Sequence, residues 1–300
     1  FKPINGLIAL QENVITPSTQ FGCDNGYLFV SCHSHSSPLD LKGAIMNSCN
    51  SYFCQTYRRI LENNKYSSVS EAFDKWRSYL DEFGFGRTTG SEFVNELAGF
   101  VPGSSYFDRY HGKNGWRALT VISMAIGQGE IGTTPLQMAN MTAAIANRGF
   151  WYVPHIVRSI GDGGEIDTLY TTRHRINIDP VYFEEVIGGM EAAVNGGAGA
   201  TARIAALDSI IVCGKTGTAQ NPHGEDHSVF IAFAPKDDPK IAIAVYVENA
   251  GFGATYAAPV ASLMIEKYLR GKISANNLWK EQRMLNLNLI DSIPDNETEH

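Results

Sequence analysis

The spacing of the apolar residues changes near residue 208, and this change limits the fold of the chain more than any other feature. Before that point apolar residues recur at helical spacing, as in residues 180–194, which end in the helix-stopping sequence Asn195-Gly196-Gly197. After it, short apolar runs predict strands at residues 210–213, 229–234 and 241–247. Helices that come first and strands that come late predict an α+β domain whose sheet is mainly antiparallel and flanked by helices.

Helices are also predicted from residue 2, after the sequence Ser37-Pro38, and on both sides of Ser48-Cys49-Asn50. In Ser37-Pro38 a serine N-cap would be followed by proline at the first helical position. We expect residues 16–37 to form an irregular loop. The polar residues 273–300 predict a frayed C-terminal tail.

Composition excludes some classes of protein. The chain has 300 residues, 44% of them apolar, and a formal net charge of −7. An acidic balance argues against a nucleic-acid-binding protein, because phosphates are met by a basic surface. No apolar stretch approaches the roughly 20 residues that a transmembrane helix needs. Because the sequence has neither an initiator Met nor a leader peptide, we expect the chain to be a fragment.

The sequence Lys215-Thr216-Gly217-Thr218 follows the first predicted strand. On an edge strand, these residues would offer an ammonium group, two hydroxyls and a backbone N–H to one bound acyl group. The absence of a side chain at Gly217 leaves room for a substrate backbone. Taken alone, such a sequence is more often a turn after a strand.

A second polar group, Ser48-Cys49-Asn50, lies between two predicted helices. A serine hydroxyl at this place can pass a proton, and an asparagine amide can hold a substrate carbonyl. The alternative interpretation is a helix cap, which is the more frequent use of Ser and Asn before a helix.

Together these motifs resemble those of the serine acyl-transferases, which carry S-x-x-K, S-x-N and K-T-G in that order. Phe1-Lys2 matches the last two residues of S-x-x-K. The neighbouring sequences are similar to blocks of class B penicillin-binding proteins, and most similar to their elongation type, penicillin-binding protein 2. These blocks are FGRTTG at residues 85–90, GQG at 127–129, TPLQMA at 134–139 and GKTGTAQ at 214–220.

The resemblance covers residues 1–272 and implies a transpeptidase domain with the penicillin-binding protein and β-lactamase-like fold, including a helical subdomain. It places the nucleophilic serine two positions before Phe1. We therefore expect this chain to begin just after its nucleophile and to be inactive alone.

The implied reaction is cross-linking of peptidoglycan stem peptides through an acyl-enzyme, which β-lactams would block. Lys2 is the implied base, Ser48 the proton relay and Asn50 the residue that orients the substrate amide. The side chains of Lys215, Thr216 and Thr218, beside Gly217, would meet the terminal carboxylate. No cofactor is needed for this chemistry.

The resemblance also implies a setting and leaves alternatives open. The expected location is the bacterial inner membrane, with the domain facing the periplasm and with a membrane-embedded glycosyltransferase and other elongation proteins as partners. The same motifs suit a D,D-carboxypeptidase, in which water replaces the acceptor amine, or a non-catalytic β-lactam sensor. A β-lactamase is disfavoured because the matched blocks hold no dedicated deacylating base.

A cluster of metal-binding residue types falls in the predicted loop. Sulfur and imidazole ligands at this density suit tetrahedral zinc, and elongation-type relatives include members with zinc in the equivalent stretch. The alternatives are a Cys23–Cys32 disulfide and histidines that are simply exposed. We interpret Cys49 as the variable residue of S-x-N, and Cys54 and Cys213 as core. The candidate ligands are Cys23, Asp24, Cys32, His33 and His35.

Overall fold

A computed structural model of the chain describes residues 1–161, 164 and 166–290. Its helices are α1 (Lys2–Gln11), α2 (Leu41–Met46), α3 (Asn50–Leu61), α4 (Val69–Glu82), α5 (Ser104–His111), α6 (Pro135–Ala146), α7 (Thr168–Thr171), α8 (Pro180–Asn195), α9 (Ala257–Arg270) and α10 (Leu278–Leu285). Its strands are β1 (Gly26–Tyr27), β2 (Val30–Ser31), β3 (Phe150–Trp151), β4 (His174–Arg175), β5 (Cys213–Ala219), β6 (His227–Ala234) and β7 (Ile241–Val247).

The main sheet has three antiparallel strands in the order β5-β6-β7, with β5 at one edge. The α+β class and the antiparallel sheet predicted from the change in apolar spacing are confirmed. Successive residues of a strand point to opposite faces. The residues of β6 accordingly divide between two cores, since Ile231 and Phe233 join one apolar cluster while Phe230 and Ala232 join another.

Helices cover both faces of this sheet. The larger cluster contains the apolar sides of α1, α3, α4 and α8, and the smaller one contains those of α9. Lys215 is paired with Ile231 in the register of β5 and β6. Residues opposite one another in an antiparallel pair share a face. Lys215 therefore lies on the face of the sheet that meets the larger core, where α1 is buried.

Two local predictions were wrong. Residues 210–212 precede the strand, and β5 begins at Cys213, so that the Lys-Thr-Gly sequence lies inside the strand rather than after it. Pro38 does not open a helix. The Asp40 carboxylate accepts a hydrogen bond from the Gly43 N–H at 2.8 Å, and α2 begins at Leu41.

The prediction of a frayed tail was also wrong for residues 275–285. A 3-10 turn, Ala275–Asn277, leads into α10, and the Asn277 amide donates to the Glu266 carboxylate of α9 at 2.9 Å. Lys280 of α10 is buried, with its Nζ 3.4 Å from the Ser262 Oγ. Residues 291–300 of the predicted tail lie outside the described residues. Among the described helices, none is long and apolar enough to cross a bilayer.

Candidate active site

Three separate segments bring their polar side chains to one point. The Lys2 Nζ, at the start of α1, lies 2.9 Å from the Ser48 Oγ and donates to the Ser48 carbonyl at 2.6 Å. The Lys215 Nζ, from β5, lies 2.7 Å from the same hydroxyl. These residues line one wall of a cleft of about 460 Å³. The structure thus brings together three of the side chains that the sequence predicts to be catalytic.

The backbone at Ser48 is shaped by the two helices beside it. α2 ends at Met46, and Cys49 is the N-cap of α3, so Ser48 is the turn between them. Its φ of 56° is in the left-handed region, which non-glycine residues seldom occupy. Such conformations cost on the order of 1–3 kcal/mol and concentrate at functional sites.

Burial changes the acidity of both lysines. It lowers the pKa of Lys2 to about 8, although the nearby thiols of Cys32, Cys49 and Cys54 act in the opposite direction. Burial also lowers the pKa of Lys215 well below its ordinary value, and the charge of Lys2 lowers it further. A free lysine has a pKa near ~10.4. Near neutral pH the pair can therefore supply an unprotonated amine beside the Ser48 hydroxyl.

The edge strand β5 forms a second wall of the cleft. The Lys215 Nζ lies 3.5 Å from the Thr216 Oγ1 and donates to the Thr216 carbonyl at 3.0 Å. Gly217 and Thr218 follow along the same wall. A side chain at Gly217 would come within 3.3 Å of Val229, so the strand is tightly packed there.

Asn50 also lines the cleft, but its amide already has a partner. The Asn50 Nδ2 donates to the Ser31 carbonyl of β2 at 2.6 Å. A substrate carbonyl that uses this amide has to share the donor with Ser31 or replace Ser31. The hairpin formed by β1 and β2 thus meets the cleft at Asn50.

Other residues of the cleft were missed by sequence reasoning. Gln128 lies in a block that the resemblance quoted, and its Nε2 is 3.4 Å from the Thr218 carbonyl. None of the others was predicted to line the cleft, although Phe1 belongs to the S-x-x-K match and His33 was a candidate metal ligand. They are Phe1, Ser31, His33, Ile126, Thr201, Phe252, Gly253 and Ala254.

The predicted metal ligands separate into two groups. Cys23, Cys32 and His35 lie together, and their ligand atoms fall within 4.8 Å of one another and of the Cys49 sulfur. Asp24 and His33 are exposed and lie outside this group. His33 lines the cleft instead. Two of the predicted ligands therefore lie apart from the other three, and the group includes Cys49, which had been interpreted only as the middle of S-x-N.

The start of α3 organises this cluster. The Asn50 N–H donates to the Cys32 sulfur at 3.2 Å, and the Tyr52 N–H donates to the Cys49 sulfur at 3.3 Å. The first N–H groups of a helix have no partner within the helix and favour negative charge. A hydrogen bond with Cys49 is the main cause that lowers the pKa of Cys32 to about 4, and the Asn50 N–H adds to it. A lowered pKa favours the thiolate form of Cys32, which is the form that binds a metal ion.

Within the described residues, the other two cysteines are free and buried. Cys54 and Cys213 are both fully buried in the larger core, as predicted. Burial raises the pKa of each to about 12. Cys23 and Cys32 are not joined in a disulfide in this structure.

A serine hydroxyl shared by two buried lysines, beside an edge strand that carries Lys-Thr-Gly, defines the class of serine acyl-transferases with a lysine base. The penicillin binding protein transpeptidase domain family matches residues 1–266. The chain belongs to this family. The resemblance based on the motifs is confirmed.

The similar proteins support the elongation type. The peptidoglycan D,D-transpeptidase MrdA of Haemophilus influenzae is 30% identical over 91% of this chain and 44% of its own length. The crystal structure of PBP2 from Pseudomonas aeruginosa in complex with WCK 5153 covers 92% of this chain and 62% of that one, with 30% identity and a TM-score of 0.76. The complex between PBP2 and MreC from Helicobacter pylori covers 90% of this chain and 49% of that one, with 25% identity and a TM-score of 0.71.

These comparisons also confirm the predicted fold of the penicillin-binding protein type. The chain spans less than half the length of curated relatives such as the MrdA proteins. The similarity therefore concerns the transpeptidase domain of proteins that are considerably longer.

Proposed function

We propose that this chain is the transpeptidase domain of an elongation-type class B penicillin-binding protein. Its reaction joins two peptidoglycan stem peptides through a serine acyl-enzyme. The observation that carries the proposal is the position of the Ser48 hydroxyl, which lies within 2.9 Å of both the Lys2 and Lys215 amines inside the cleft. Residues 1–272 form this domain in our assignment.

In the first step, a serine two positions upstream of Phe1 attacks the carbonyl of the penultimate D-Ala of a stem peptide. Lys2, one helical turn from that serine, accepts the hydroxyl proton in its unprotonated form. The bond to the terminal D-Ala breaks, and the proton passes through Ser48 to the leaving amine. The products are an acyl-enzyme ester and free D-Ala.

In the second step, the amine of a neighbouring stem peptide attacks the ester and releases the serine. The new amide is the cross-link. Ser48 and Lys2 take the proton from the attacking amine by the reverse of the first route. A β-lactam would enter the same first step and remain bound as a stable ester, and no cofactor takes part.

The walls of the cleft would hold the substrate during these steps. Lys215 and the hydroxyls of Thr216 and Thr218 suit the terminal carboxylate, because charge-assisted hydrogen bonds are about twice as strong as neutral ones. The N–H of Thr218 and that of the nucleophilic serine suit the developing oxyanion. Losing one such donor typically costs about 10²–10³ in rate. Asn50 would orient the substrate amide.

The test follows D-Ala release by the chain extended upstream through the proposed serine. With a stem peptide as donor, release should depend on the serine and should give a cross-linked product when an acceptor amine is added. Release with water alone as acceptor, and no product from any amine, would favour a D,D-carboxypeptidase. If the folded protein releases no D-Ala, both the transpeptidase and the D,D-carboxypeptidase interpretations are contradicted.

The proposed partners are peptidoglycan stem peptides, a membrane-embedded glycosyltransferase and other elongation proteins. Two similar structures support this, since one is a PBP2–MreC complex and the other concerns polymerisation and cross-linking by a peptidoglycan synthase complex. The corresponding location is the periplasmic side of the inner membrane.

We also propose that Cys23, Cys32, His35 and Cys49 hold a structural zinc ion. The donors fit the ion, because three thiols and one imidazole form a common tetrahedral set. Zinc–sulfur bonds of about 2.3 Å put the ligands of one ion roughly 3.8 Å apart. Ligand atoms within 4.8 Å of one another need only a small closing movement. When bound, the ion would tie the β1-β2 hairpin to the start of α3, beside Ser48 and Asn50.

Two histidine variants test this proposal. His35→Ala removes a proposed ligand, whereas His33→Ala removes a neighbouring imidazole that lies outside the cluster. Metal content measured by mass spectrometry should fall in His35→Ala and stay near one zinc per chain in His33→Ala. Equal zinc content in both variants, or no zinc in the parent protein, would contradict the assignment.

A further inference from the structure

Asn5 is a buried polar side chain that the proposed reaction does not use. It lies in α1, three residues after Lys2, and is fully buried. Its Oδ1 accepts a hydrogen bond from the Trp76 Nε1 at 2.8 Å. Its Nδ2 donates to the Ala125 carbonyl at 2.8 Å and lies 3.4 Å from the Met124 carbonyl.

The chemistry of the partners fixes the orientation of this amide. An indole N–H can only donate and a backbone carbonyl can only accept. The oxygen of Asn5 must therefore face Trp76, and its nitrogen must face Ala125. An asparagine is the side chain of this size that satisfies both partners at once, and neither aspartate nor leucine can do so.

The carbonyls that Asn5 holds belong to the segment that enters the cleft. Met124 and Ala125 are near the end of a 3-10 helix, Ala118–Ile126, which stops at Gly127 with a φ of 80°. Met124 also caps this end, since its carbonyl accepts from the Gly127 N–H at 3.1 Å. Movement of these carbonyls would displace Gly127 and the residue that follows it.

Gly127 and Gln128 contact both sides of the proposed reaction centre. A side chain at Gly127 would come within 2.8 Å of the Phe1 ring, which adjoins Lys2. Gln128 lines the cleft, and its Nε2 lies 3.4 Å from the Thr218 carbonyl of β5. The Gly127–Gln128 turn is thus packed between the start of α1 and the end of the Lys-Thr-Gly strand.

We propose that Asn5 is a positioning residue, which holds the Gly127–Gln128 turn at a fixed distance from Lys2 and Thr218 through its hydrogen bond to Ala125. It touches no reacting atom. Its contribution is to the geometry of the cleft, where misplacement by about 1 Å can cost roughly 10²-fold in rate. This inference rests on the proposed acyl transfer.

The test compares Asn5→Leu with Tyr79→Phe in the chain extended upstream through the proposed serine. Both changes remove a buried hydrogen bond that anchors α1, one made by Asn5 within the helix and one made by Tyr79 of α4 to the C-cap residue Glu12. Tyr79 donates to Glu12 at 2.7 Å, at the end of the helix away from the cleft, and therefore serves as the matched control. Acylation by a fluorescent penicillin is followed at increasing concentration, which separates the binding constant from the rate constant of the chemical step.

We expect Asn5→Leu to lower the rate constant of the chemical step by at least about ten-fold at a temperature where the protein is folded. Tyr79→Phe should leave that constant unchanged even if its melting temperature falls as much. If the parent protein takes no penicillin, the proposed function fails. If the parent is acylated and both variants keep its rate constant, only the role of Asn5 fails.

If Asn5→Leu does not fold, a second variant is needed. Asn5→Ala is smaller than asparagine and avoids a clash with the carbonyls, so it takes the place of Asn5→Leu in that case. Slowed acylation in folded Asn5→Ala supports the positioning role. Loss of folding in both variants would overturn it, because Asn5 would then serve the fold as a whole.

Discussion

At the scale of single residues, the proposed reaction depends most on how many protons Lys2, Ser48 and Lys215 hold between them. Two ammonium groups within 2.9 Å of one hydroxyl repel each other. Burial already disfavours both charges. Loss of a proton from one lysine is therefore favourable, and it prepares a base for the reaction without any outside group.

This arrangement predicts a pH dependence of acylation. Lys2 acts as a base only when it is unprotonated, and its pKa is about 8. The acylation rate should therefore rise as the pH increases through about 8 and level off above it. Lys2→Arg, which keeps the charge but cannot lose its proton, should abolish acylation. A rate that stays constant or falls across this range would contradict the role of Lys2.

Replacement of Ser48 tests the proton relay. Ser48→Ala leaves both lysines in place but removes the hydroxyl between them. Because positioned proton transfer contributes about 10²–10⁴ in rate, we expect D-Ala release to slow by a factor in that range. Ser51→Ala removes a hydroxyl that donates to the Gly22 carbonyl at 3.2 Å, outside the cleft, and should have little effect. Similar rates in both variants would remove Ser48 from the mechanism.

The sequence predicts residues well where a short motif carries the chemistry. Lys2, Ser48 and Lys215 follow from three motifs, and the structure brings their side chains together. Asn5 could not be found this way, because its importance depends on carbonyls more than a hundred positions away in the chain. Cys49 was missed as a candidate ligand because its place in S-x-N already had an explanation.

At the scale of elements, α1 is held at both ends. Asn5 bonds near its start, and Glu12 caps its end. The Glu12 carboxylate accepts hydrogen bonds from Tyr66 at 2.8 Å and Tyr79 at 2.7 Å, and it pairs with Lys65 at 2.7 Å. Burial raises the pKa of Glu12, but these hydrogen bonds outweigh it and lower the pKa below its ordinary value.

This cap predicts a loss of stability in Glu12→Gln. An amide cannot accept from all three donors and leaves part of the buried network unpaired, which costs about 1–3 kcal/mol. The free energy of unfolding should fall by that amount in a denaturant titration. Glu62→Gln, at an exposed ion pair with Arg58, should change it by less than about 0.5 kcal/mol. Equal changes in the free energy of unfolding in the two variants would show that the Glu12 network adds little to stability.

The same network predicts the direction of a pH effect on stability. Since folding lowers the pKa of Glu12, its contribution is complete above the unfolded value of about 4.3. The contribution is lost as the pH falls through the lower, folded value. The stability difference between the parent protein and Glu12→Gln should therefore shrink on acidification. A difference that grows at low pH would contradict this assignment.

Elements with regular apolar spacing were predictable, and those fixed by distant contacts were not. The helix near residues 180–195 and the strand at 241–247 follow their patterns closely. α5 has no clear local pattern, and it depends on aromatic packing around Phe107 and Trp116. The 3-10 helix before Gly127 packs mainly against α3, which is distant in the chain. The order of residues 275–285 was missed because Lys280 is charged, and the sequence does not show that its side chain is buried.

At the scale of the whole molecule, the cleft forms where the large core, the edge strand and the β1-β2 hairpin meet. β5 pairs with β6 on one side only among the described residues. An edge strand offers unpaired N–H and C=O groups to an extended peptide. The cleft is thus suited to a peptide that lies along β5 with its end near Lys215, as the proposed stem-peptide substrate would.

The proposed nucleophile is a serine two positions upstream of Phe1, which is acylated next to Lys2. The most direct test is the intact mass of the chain extended upstream through that position, measured with and without a β-lactam. We expect one adduct per chain, which peptide mapping places on that serine and which Lys2→Arg abolishes. A folded, extended protein that gains no mass, or an adduct on any other residue, would contradict it.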